Sequence, residues 1–164
     1  MDDERLHTYL NDHLAGASAA LAMTVRLAAD HADDAFGPPL ARLRDEIRLD
    51  REAVRDALAR LPARENPWKR VAGIALSLVA WGRDLLPSGA RPTLAEELEV
   101  LAMGVWGKRL LWGALARVAE SDPRFEDLDL EALTARAEDH ERELLRLRED
   151  ALVDAFGLRA AERG

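Results

Sequence analysis

WKRVAGIALSLVAWGRDLL, residues 68–86, is the stretch whose reading decides the fold. It is strongly apolar, follows Pro62 and Asn66-Pro67, and ends at Pro87-Ser88-Gly89, so it reads as a helix bounded by turn residues. Its few charges lie near its ends, whereas a helix lying on a membrane surface needs a broad basic face. Its uncharged middle, Val71 to Gly82, is about half the length of a membrane span. The segment is therefore expected to be a crossover helix packed on the rest of the protein. At about 1.5 Å per residue it would extend roughly 28 Å, nearly the length of its neighbours. A crossover that long makes the helices before and after it run in the same direction.

Outward from this segment lie two pairs of amphipathic helices, expected at about residues 6–31, 39–61, 93–120 and 130–156. In the first, Leu6, Leu10, Leu14, Ala17, Leu21 and Ala28 form an apolar stripe with His13 inside its arc. Asp33 to Pro39 reads as the turn into the second helix. There Leu40, Leu43, Ile47, Val54, Leu58 and Leu61 share one face, and Asp50 points near its middle. Thr93 is the expected N-cap of the third helix, with Glu96 and Glu97 in its first turn. From Val100 to Val118 that helix carries only Lys108, Arg109 and Arg117 as charges, so it should be buried on several sides. Gly104 and Gly107 would let another helix approach closely. Trp106 and Trp112 point to different sides of it, one of them toward the crossover helix or a partner subunit. The fourth helix has His140 near the centre of its Leu133, Ala137, Leu144, Leu147 and Ala151 stripe and stops at Gly157.

Composition sets the class. The chain has 164 residues, 48% of them hydrophobic and 33% charged, enough for one domain with a real core and a solvated surface. The sequence is rich in Ala, Leu, Arg and Glu and poor in β-branched residues, which favours an all-α fold. With no cysteine there is no disulfide framework, thiolate nucleophile or thiolate metal site. A net charge of −8 argues against nucleic acid and anionic lipid as partners. The acidic start Met1-Asp-Asp-Glu-Arg is unlike a secretory signal, so a soluble, cytoplasmic protein is expected. Phosphate loops, Ser-His-Asp arrangements and HExxH zinc motifs are missing from the sequence. The row Arg44, Arg48, Arg51 and Arg55 could hold a phosphate or an acidic partner, but pairs such as Arg48 with Glu52 would make it a solvated face.

Two helix pairs joined by a full-length crossover resemble the ferritin-like class of four-helix bundles. Tyr9-Leu-Asn-Asp-His-Leu-Ala-Gly16 and Glu99-Val-Leu-Ala-Met-Gly-Val-Trp-Gly-Lys108 are similar to stretches of uncharacterised bacterial proteins of this kind. The resemblance implies a fold and brings no activity with it. The di-iron members place one Glu on each of two helices and Glu-x-x-His on each of the other two. Here Leu49 stands three residues after Glu46, Ala137 stands three before His140, and the one literal match, Glu4-Arg-Leu-His7, lies at a helix start. Counting residues along the helices puts His13 and His140 about a third of the way up, Asp50 near mid-height and Glu99 near the top. That spread of roughly 10–15 Å is too large for one metal shell. A mononuclear site from His13, His140 and Glu141 remains open, since imidazoles suit several transition metals.

The competing reading is a polar layer. Lys108 or Arg109 would pair with Asp50, or with Glu46 or Glu141, while Glu99 sits at the stripe edge and the histidines stay neutral, donating to a carboxylate or carbonyl. Two functions follow. The favoured one is a non-catalytic helical-bundle protein that binds a protein partner or self-associates, as in a homodimer. The alternative is a degenerate ferritin-like metalloprotein, a metal carrier or oxidoreductase using Fe, Mn or Zn.

Overall fold

The computed structural model describes residues 2–62 and 92–157, all-helical with no strand among them. The expected crossover helix at 68–86 lies outside the described residues. The four helices are α1 (Asp3–Asp30), α2 (Gly37–Ala59), α3 (Leu94–Ala119) and α4 (Leu130–Phe156), with a 3-10 turn at Pro123–Phe125 before α4. None of them is long and apolar enough to cross a membrane.

Each boundary has a local cause. The first helix starts at Asp3 rather than near Leu6, because the Asp2 carboxylate accepts from the Arg5 backbone N–H and Asp3 and Glu4 fill the first turn. The α1–α2 turn requires Gly37, where a Cβ would collide with the His31 carbonyl oxygen. Pro38 and Pro39 then open α2, whose first-turn N–H groups would be unpaired anyway. Thr93 caps α3 in a reciprocal box with Glu96, and Asp129 caps α4 through the Ala132 N–H. At the other end of α4, Gly157 takes the left-handed conformation, φ 61°.

Among the described residues the core falls into two clusters, which fix the directions of the four helices. The first gathers Leu27 from late α1, Leu40 and Leu43 from early α2, Leu98 and Leu101 from early α3, and Leu147 from late α4. The second joins Leu10 from early α1, Val54 and Ala57 from late α2, Trp112 and Leu115 from late α3, and Leu133 from early α4, with Phe125 beneath. So α1 and α4 run one way while α2 and α3 run the other. The chain leaves α2 at the end of the molecule where α3 finishes, not where α3 begins.

Candidate functional site

Between the two clusters lies a polar layer. Asp50 falls between Ile47 and Val54 on α2, Lys108 between Val105 and Leu111 on α3, and His140 between Ala137 and Leu144 on α4. Asp50 and His140 are almost wholly buried. Lys108 Nζ donates to Asp50 Oδ2 at 2.5 Å and to His140 Nδ1 at 2.7 Å. The other ring nitrogen, Nε2, donates to Glu46 Oε2 at 2.6 Å. Arg136 completes the set, its Nε 2.7 Å from Asp50 Oδ1.

Each hydrogen bond fixes the protonation of its neighbour. An ammonium has only donors, so His140 Nδ1 must accept, and the proton of a neutral ring goes to Nε2, where Glu46 accepts it. Two carboxylates face one ammonium and one guanidinium, so the formal charges cancel. Burial and the Lys108 charge hold the His140 pKa below its ordinary value, against the opposing pull of Glu46 and Asp50. Burial likewise lowers the Lys108 pKa, while Asp50 pulls it back up. Glu46 and Arg136 are the two ends of the chain of hydrogen bonds and are about one-third exposed, at 36% and 31%.

The candidate residues divide into those the layer collects and those it does not. Glu46, Asp50, Lys108 and His140 meet. Glu99 instead takes Arg148 at 2.7 Å, and Arg109 pairs with Glu141. His13 is half-buried with its ring edge-on to Tyr9, 4.6 Å between centroids, and burial lowers its pKa. The proposed trio His13, His140 and Glu141 therefore has three separate sets of neighbours. Asp50 and His140 also share one height, contrary to the count along the sequence. Asp50 lies 9 residues from the end of α2 at Ala59, and His140 lies 10 from the start of α4 at Leu130; in antiparallel helices those distances match. Arg136 escaped the sequence reading, although its place four residues before His140 puts both on one helical face.

No family model, curated protein or solved structure matches the chain.

The donor set does not fit a metal. No group of three or more His, Asp or Glu side chains among the described residues is placed to hold an ion. Both His140 nitrogens are engaged, and the position that Asp50 and His140 jointly face is filled by the Lys108 ammonium. The arginine row on α2 is also paired. Arg44 and Arg48 share Asp45, while Arg51 and Arg55 share Glu52. Glu52 is thus taken by its own neighbours and not by Arg48, the partner expected from the sequence.

The two tryptophans on α3 part company. Trp112 is fully buried in the second cluster, while Trp106 is 56% exposed on the opposite side of the helix.

Proposed function

We propose that this chain is a ferritin-like four-helix bundle that works by binding, to a second copy of itself or to a protein partner, rather than by catalysis. The single observation that carries this reading is α3. Its inner face is buried among the other helices, while its outer face presents Val100, Met103, Trp106 and Leu110 to solvent. Four large apolar side chains gathered along one helix face, unlike exposed apolar residues scattered singly, are characteristic of an interaction site. The interior supports the same reading, because Glu46, Asp50, Lys108, Arg136 and His140 answer one another among the described residues. The ferritin-like assignment is supported by the parallel directions of α2 and α3. The acidic balance favours a protein partner over nucleic acid, in a cytoplasmic setting.

The test combines sedimentation equilibrium with elemental analysis of protein purified without chelator. Concentration-dependent association, or a protein copurifying in fixed ratio, is the expected result, with metal well below stoichiometric. A monomer carrying stoichiometric Fe, Mn or Zn that His140→Ala abolishes would overturn the reading in favour of a metalloprotein.

A further inference from the structure

We draw no further inference here: the strongest candidate, the exposed apolar face of α3 formed by Val100, Met103, Trp106 and Leu110, carries nothing beyond the binding role proposed above, since nothing in the structure shows what covers it.

Discussion

At the scale of single residues, the centre of the molecule depends on how well five side chains answer one another. Asp50 accepts from Lys108 and Arg136 with almost no access to water, so removing it takes away the buried carboxylate that both cations answer. Asp50→Ala should therefore destabilise the fold by about 3–5 kcal/mol, the cost of breaking a buried pair from one side. Urea unfolding measures it, and a loss no larger than that of an exposed substitution would defeat the account. His140 makes a second prediction, about pH. Its native pKa lies below the ordinary 6.5, so on acidification the unfolded chain takes up this proton before the folded one does. Stability is then fully present above about pH 6.5 and falls as the pH drops below it, until the native ring protonates too. The fall has a visible cause: a protonated Nδ1 would point a donor at the Lys108 ammonium. His13 shifts the same way through burial, so the slope is shared. His140→Gln should flatten stability between pH 6.5 and 5 without abolishing the trend, and an unchanged slope would show that His140 is not its source.

At the scale of the elements, the helices were legible in the sequence because patterning, caps and breakers agree at each end. Thr93, Gly157 and the Pro38-Pro39 pair mark boundaries by chemistry that needs no tertiary context. The capping box at α3 is directly testable. Thr93→Ala removes the hydroxyl that accepts from the Glu96 N–H and donates to its carboxylate, keeps the bond from the backbone N–H of residue 93, and should cost about 1 kcal/mol. Hydrogen exchange should show the loss as faster exchange confined to the first turn of α3, and uniform acceleration would argue against a local cap. Less legible was which partner each charge chooses. Helical spacing gives Arg109 and Lys108 similar claims on Asp50, but only packing turns Lys108 inward, onto Asp50 and His140, and Arg109 toward Glu141. Arg136 could be found from its i,i+4 relation to His140, whereas Glu99 lies at a stripe edge and packing left it with Arg148 at the surface. Heights read as fractions of helices of unequal length misplace Asp50 against His140, whereas counts from the end the two helices share, 9 residues to Ala59 and 10 from Leu130, nearly agree.

At the scale of the whole molecule, the polar layer separates two apolar clusters built from much the same residues, mostly Leu, Val and Ala. Two such clusters could exchange partners: α2 slid by one or two turns along its neighbours would still find leucines to bury. What such a slip cannot satisfy is Asp50, which needs a cation from α3 and another from α4 at one height. Buried ionic groups add little net stability compared with apolar residues of similar size, and their best-attested use is to specify register. The triple variant Asp50→Leu/Lys108→Met/His140→Leu removes the buried members together and leaves Glu46 and Arg136, both partly exposed, to water. It should be as stable as the natural chain or more so, by up to about 4 kcal/mol. Its near-UV circular dichroism and amide dispersion should nevertheless weaken, as the helices sample more than one register. A variant both more stable and equally well ordered would mean that the clusters alone determine the register. One that unfolds would mean that the layer supplies stability outright. The combination of higher stability and lower order is the signature that assigns the layer its role, because no single substitution in it can separate the two effects.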